Sequence, residues 1–241
     1  MKKTIIKIIK NIGALITAMA GVLVIIYFAF FGAVMNDSFL ADVNLEIGIH
    51  EKLEMSEEDL IAVAESMVYY TKGEVDTLQV RVTMGGVERD FYNERELLHI
   101  EDVRDLVREV RIFIIGCGVV FVIGTVALFC SKDSAKLAKG FFISLGIVVA
   151  LAAVIGLLAV EDINAVINGF HYLFFDNDLW KMNSQRDMVV WLFTQDMYGS
   201  AIARIGIWLA ALLVPFTALS VVVVKRERNR AVRSKEESES V

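Results

Sequence analysis

The sequence predicts an α-helical membrane protein with four transmembrane helices and a small α+β extracellular domain between the first and second spans. Three observations predict it. Hydrophobic residues fill 56% of the 241 positions and there is one Pro, more apolar material than a soluble domain needs for its core. That material is gathered into four runs, near 12–34, 112–130, 141–160 and 205–224, each close to the ~20 residues that carry a helix across a ~30 Å hydrocarbon layer. Charge is divided between the connecting segments. Residues 1–10, 131–140 and the tail after Val224 hold 13 of the 24 basic residues and five of the 30 acidic ones, so they lie on the cytoplasmic side and both termini are inside.

The first unit, 1–35, is a short cytoplasmic segment and the first span. "MKKTIIKIIK" has the basic start of a secretory signal, but the apolar run after it is longer than the roughly 7–15 residues of a signal core, so the span is expected to be retained. Residues 36–110 form the extracellular domain. Within it "SEEDLIAVAESMVYYTKG" reads as a helix with Ser56 as N-cap, an apolar face of Leu60, Val63, Ala64, Met67 and Val68, and Gly73 as its stop. "TLQVRVTMGGVERDFY" alternates apolar and polar residues up to Gly85 and Gly86, the signature of a hairpin. A third element opens at "NERELLHIEDVRDLVREVRIF", with Asn93 as cap and Glu96 three residues on, and is expected to run into the second span. So small a domain is expected to rest on the membrane bundle.

Residues 111–224 carry spans two to four, interrupted outside by an aromatic and acidic loop at 161–204. Cys117 and Cys130 are thirteen residues apart in one span, ~20 Å along a helix, too far for a disulfide, and read as packing residues. Residues 225–241 are a basic cytoplasmic tail that orients the chain and meets anionic headgroups, with "SKEESES" expected to be disordered at its end. No basic patch with interleaved aromatics lies outside the membrane, and no nucleic-acid partner is expected.

Chemistry is sought in the three histidines. His99 stands three residues from both Glu96 and Asp102, spacing that lets a carboxylate hold one ring nitrogen and leave the other basic; a solvated charged face is the plainer reading. His171 sits in "FHYLFFDNDLW" among Phe170, Tyr172, Phe174 and Phe175, at the depth where aromatic rings concentrate in a bilayer. On a continued helix Asp178, at i+7, shares its face, while Asp176 belongs to a turn with Asn177. If both connections to the spans stay helical, the two imidazoles reach similar heights, ~17 Å above the hydrocarbon edge; a turn back at Gly169 would instead place His171 deeper and require a break in the helix of His99. His50 reads as a surface residue.

"FYNERELLHIEDVRDL", followed one span pair later by "FHYLFFDNDLWKMN", resembles the lipoprotein intramolecular transacylase family of low-GC Gram-positive bacteria. The resemblance covers most of the chain. It implies an acyltransferase that moves the sn-2 acyl chain of a diacylglyceryl-Cys lipoprotein onto the α-amine of the same Cys, giving the lyso form. It implies catalytic roles for His99 and His171, with Glu94, Arg95, Asp102, Asp176, Asn177, Asp178 and Trp180 as supporting positions; Glu96 joins them from the spacing above. The expected partners are the diacylated lipoprotein and membrane lipids, with the chain a monomer. "KMNSQRD" stands where the family pattern suggests a Pro, a departure that bears on loop shape.

The implied reaction asks for a base to deprotonate an amine and a donor to stabilise an oxyanion, which two imidazoles can share. His171, in what reads as the drier setting, is the expected base or transient acyl acceptor, and His99 the polarising partner held by Asp102 or Glu96. No cofactor and no metal are expected, since ester-to-amide transfer is downhill and the acceptor is tethered to the donor. Two other classes stay open: a metal hydrolase using His99, His171 and one of Asp102, Asp176 or Asp178, for which no paired-His spacing is present, and a non-catalytic sensor or assembly protein.

Overall fold

The computed structural model of the protein describes residues 2–239, without the side chains of Lys3, Lys235, Ser238 and Glu239. Four long helices dominate: α1 (Lys2–Val34), then, after three short or medium ones, α5 (Glu94–Cys130), α6 (Ser134–Glu161) and α8 (Gln195–Glu239). Each is long and apolar enough to cross a membrane. Their outward faces are crowded with large exposed side chains such as Ile112, Phe113, Ile123, Leu157 and Val160. Water would penalise so large an apolar surface, whereas lipid solvates it. The chain is a multi-pass membrane protein.

Two compact units account for the described chain: 2–28, 113–163 and 209–239 in one, 29–112 and 164–208 in the other. In the first, α1 is the most enclosed helix, with 44% of its most apolar window buried against 6% for each of the other three. Ala18, Val22 and Ile25 of α1 pack with Phe141 of α6. Gly140 permits the approach, because a Cβ there would lie 2.9 Å from the carbonyl oxygen of Ala14. At one end of this unit the Lys10 ammonium meets the Asp133 carboxylate at 2.6 Å, in the loop between α5 and α6.

The second unit holds α2 (Phe39–Glu46), α3 (Ile49–Lys52), α4 (Glu57–Lys72), the hairpin β1 (Arg81–Met84) with β2 (Val87–Asp90), the first half of α5, most of α7 (Ile163–Phe174) and a 3-10 turn at Met188–Leu192. α4 begins and ends as its sequence predicts: the Asp59 N–H donates to Ser56 Oγ at 3.0 Å, and Gly73 closes the helix in the left-handed region at φ +77°. Its buried face is Leu60, Val63, Ala64, Met67 and Val68. The hairpin pairs Met84 with Val87 across Gly85 and Gly86, both at positive φ, the conformation a two-residue turn requires. It is shorter than the alternation suggests, because Leu78 and Val80 precede the paired residues, although Leu78 and Val82 are buried. Buried Asn44 donates to Leu40 O at 2.8 Å and to Leu192 O at 3.2 Å, tying α2 to the 3-10 turn.

Three differences from the sequence reading concern continuity. The helix leaving the third span breaks at Asp162, whose backbone is extended (φ −153°, ψ 96°), and restarts as α7; neither a continued helix nor a turn at Gly169 forms, and α5 runs unbroken past His99. The fourth long helix starts at Gln195, ten residues before the apolar run, and passes through Pro215. At its far end it continues to Glu239, since "KRERNRAVRSKEESE" is rich in helix formers and has neither Gly nor Pro. Of the segment expected to be disordered, Ser240 lies outside the described residues.

Candidate active site

The first turn of α5 is locked by a reciprocal cap. The Glu96 N–H donates to Asn93 Oδ1 at 3.0 Å, and Glu96 Oε2 accepts the Asn93 N–H at 2.6 Å. Its other oxygen accepts the Val189 N–H at 2.6 Å. Glu96 is fully buried, and burial raises its carboxyl above the ordinary range against the opposing pull of these N–H groups. Asp187 completes the network: it accepts from the Asn93 side-chain amide at 3.0 Å, from the Asn183 N–H at 2.7 Å and from both arms of Arg186. The Arg186 guanidinium holds Asp187 well below the usual carboxylate range. These contacts fix the N-terminus of α5 to the 183–189 segment.

From this anchored end, positions 95, 99 and 102 share one face of α5. They look onto α7 and the loop that follows it. Arg95 donates to three backbone carbonyls of that loop: to Leu179 O and Lys181 O at 3.1 Å, and to Asp178 O. Asp102 accepts from the Asn177 side-chain amide at 2.8 Å, and Asn177 Oδ1 takes the Leu179 N–H at 3.0 Å. The loop is thereby held at both ends against one helix face.

Between these contacts the two imidazoles meet. The ring centroids of His99 and His171 are 5.7 Å apart. Phe175, buried, stands 5.2 Å from His99 and 5.7 Å from His171, and Trp180 stacks on His171 at 4.8 Å with 23° between planes. The Lys181 ammonium lies over the Trp180 and Tyr172 rings at 5.3 and 5.2 Å and pairs with Asp178 at 2.7 Å.

The two rings differ electrostatically. His171 Nδ1 lies 2.8 Å from Ile167 O, an acceptor that fixes Nδ1 as the protonated nitrogen and leaves Nε2 with its lone pair in the neutral ring. His99 Nδ1 is buried without a hydrogen-bond partner. His99 stands before Arg111, in a part of α5 too rich in charge to enter hydrocarbon. Burial, reinforced by the neighbouring His171, lowers its pKa from 6.5 to about 4 despite the Asp102 carboxylate. His99 is therefore neutral at physiological pH.

Several sequence-predicted residues are placed otherwise than expected. Neither Glu96 nor Asp102 hydrogen-bonds His99, because the cap and Asn177 occupy them. Asp178 shares no helix face with His171, since α7 ends at Phe174; its carboxylate serves Lys181. The desolvated ring is His99, where the sequence suggested His171. Asp176 is exposed, and Asn177 makes its turn without it. Glu94 is exposed and lines a separate cleft of about 510 Å³ with Arg89, Asn93 and Arg186. His50 Nε2 lies 3.9 Å from Glu57 and has no part in the aromatic group. Among the described residues no three His, Cys, Asp or Glu side chains gather as a metal-holding group, so His99, His171 and the loop aspartates do not form a ligand set. Sequence reasoning placed Phe175 in the aromatic group but missed that it packs against both imidazoles, and it missed Asp187. Only the adjacent Arg186 and the Asn183 turn before it hinted at the latter.

Comparison with known proteins bears on this geometry. The model of the lipoprotein intramolecular transacylase family, Lit, matches residues 15–198, which contain both histidine segments. The chain belongs to this family. It is an acyltransferase of the lipoprotein intramolecular transacylase type. The solved structure of the membrane integral lipoprotein intramolecular transacylase from Bacillus cereus superposes with a TM-score of 0.74 at 16% identity, covering 91% of this chain and 98% of that one. A structure of the same Bacillus cereus protein with one histidine replaced by arginine gives 0.74 at 15% identity, covering 95% and 98%. At that identity the likeness concerns the fold. No curated protein matches the chain by sequence.

Proposed function

We propose that the chain moves the sn-2 acyl group of a diacylglyceryl-Cys lipoprotein onto the α-amine of the same Cys, at the extracellular face of the cell membrane. Residues 36–110 then form an extracellular α+β domain and both termini are cytoplasmic, in keeping with the distribution of Lys and Arg. The observation that carries the reading is the juxtaposition of His99 and His171, 5.7 Å apart, in a family of transacylases.

The free amine attacks the sn-2 ester carbonyl. His171 Nε2, made the acceptor by the bond from Nδ1–H to Ile167 O, takes the proton released as the C–N bond forms. It returns that proton to the sn-2 glyceryl oxygen as the C–O bond breaks. The neutral His99 ring serves as the polarising donor to the tetrahedral oxyanion, and its low basicity keeps it from competing for the proton. Because donor and acceptor belong to one molecule, holding them together contributes on the order of 7–11 kcal/mol to lowering the barrier. Arg95, Asp102 and Asn177 position the loop, Trp180 fixes the plane of His171, and Glu96 fixes the start of α5. Glu94, Asp176 and Asp178 remain proposals for contact with the lipopeptide.

Mass spectrometry of one lipoprotein's N-terminal peptide, from cells with and without this chain, tests the reading. N-acylated, S-monoacylglyceryl peptide should appear only with the chain; unchanged acylation would refute it.

A further inference from the structure

The second unit is acidic, with 23 acidic and 11 basic residues in 29–112 and 164–208. Four of those 11 cations nevertheless line a single cavity of about 390 Å³: Lys72, at the end of α4, and Arg104, Arg108 and Arg111 of α5. The arginines recur about once per turn, so one face of the helix presents three guanidinium groups. The volume falls within the roughly 300–1,000 Å³ of small-ligand sites. None of the four residues touches the imidazole pair.

Carboxylates also face the cavity. Lys72 is bound to Asp37 and Glu74 at 2.8 Å each, so its charge is largely answered. Arg108 meets Asp105 at 3.2 Å, an exposed pair, and Arg104 meets the fully exposed Asp76 at 3.4 Å while lying over the Tyr70 ring. Glu101 and Asp105 also line the cavity. Exposed pairs of this kind contribute little and exchange readily. Arg111 has no carboxylate partner among the described residues: it donates to Lys72 O at 2.9 Å and lies over Phe31 at 5.7 Å.

Position selects the ligand. Arg111 is the last charged residue before the apolar run from Ile112, so its guanidinium stands where hydrocarbon gives way to headgroups, and Glu101 is ~15 Å further out along the helix. Anionic lipids carry a phosphodiester at that depth. Planar guanidinium groups match phosphate oxygens two at a time, better than an ammonium does. We propose that this cavity binds the phosphate of an anionic glycerophospholipid, Arg111 and Arg108 making the principal contacts and Arg104 exchanging Asp76 for the headgroup.

Purified full-length protein in neutral detergent, titrated calorimetrically with short-chain phosphatidylglycerol, short-chain phosphatidylcholine and inorganic phosphate, tests the proposal. Saturable binding of phosphatidylglycerol is expected, at least tenfold tighter than phosphatidylcholine and weakened at least tenfold in Arg108→Gln/Arg111→Gln. Arg108→Gln alone keeps the test open if the double variant misfolds, since that side chain is two-thirds exposed; it should weaken binding several-fold. Equal affinity for the two lipids, or undiminished phosphatidylglycerol binding by the variants, overturns the proposal. So does binding of inorganic phosphate without phosphatidylglycerol, which would make the site one for the free anion.

Discussion

Removing the Arg95 guanidinium should slow the enzyme without unfolding it. Arg95 reaches neither imidazole's hydrogen-bonding atoms; it acts on the backbone of 178–181, through Leu179 O and Lys181 O at 3.1 Å and Asp178 O. That segment carries Trp180, which fixes the plane of His171. A fully buried hydrogen bond from a charged group contributes about 1.5–3 kcal/mol. Two of the three contacts are exposed, where water replaces them at small cost, so the loop's preference for its observed position should fall by about 1–2 kcal/mol. At 1.4 kcal/mol per tenfold, that is roughly a five- to thirtyfold loss of the competent arrangement. Turnover of a diacylated lipopeptide by Arg95→Ala, followed by mass spectrometry, should fall by that factor, with the thermal midpoint in detergent lowered by no more than a few degrees. Arg95→Lys, which supplies one point donor in place of a fork, should recover part of the rate. Wild-type turnover in Arg95→Ala would refute the reasoning. So would a loss of activity matched by a large fall in thermal midpoint, because Arg95 would then be holding the fold.

Glu96→Ala should be destabilising by about 3–5 kcal/mol, since it leaves the buried Val189 N–H and the Asn93 N–H without acceptors and removes the cap; a thermal midpoint within a degree or two of wild type would contradict this. The depressed pKa of His99 gives stability a definite slope: between pH 6.5 and about 4 the unfolded chain takes up a proton that the folded ring refuses. Stability should therefore be fully present above pH 6.5 and fall as pH drops towards 4, by on the order of 3 kcal/mol at most. Denaturation against pH should show that limb in wild type and lack it in His99→Gln; an identical slope in both would exclude His99 as the source. Trp180→Phe, which preserves a stacking ring on His171, should retain most of the lipopeptide turnover. Trp180→Ala should lose at least tenfold, and equal rates for the two would remove the stacking role.

Much of the fold was legible because a bilayer imposes strong composition rules. Four apolar runs mark four spans, Ser56 marks a helix start through its side-chain cap, and Gly73, Gly85 and Gly86 mark an end and a turn whose positive φ permits few other residues. The pairing of His99 with His171 could be posed from two motifs but not deduced from spacing, because α7 starts after a break at Asp162 that no Gly or Pro announces. Glu96 was read both as the cap partner of Asn93, which it is, and as a support for His99, which it is not. An acid three residues before a histidine can equally be the third residue of a capping box, and two N–H groups needing an acceptor outcompete one imidazole. Asp178 was misjudged because helical periodicity was carried past Phe174, where α7 ends and Asn177 caps a turn by accepting the Leu179 N–H. Asp187 gave little signal in advance, since its partners Asn93 and Arg186 become a set only when α5 meets the 183–189 segment.

The most direct test of the two-imidazole mechanism follows the acyl group itself. Purified protein is given a synthetic diacylglyceryl-Cys peptide with an isotopic label in the sn-2 chain alone, together with an unlabelled peptide of different mass. Wild type should place the label on the α-amine of the peptide that carried it, without crossover, while His99→Ala and His171→Ala form no N-acyl product. Label transfer at the wild-type rate by either variant would contradict the mechanism.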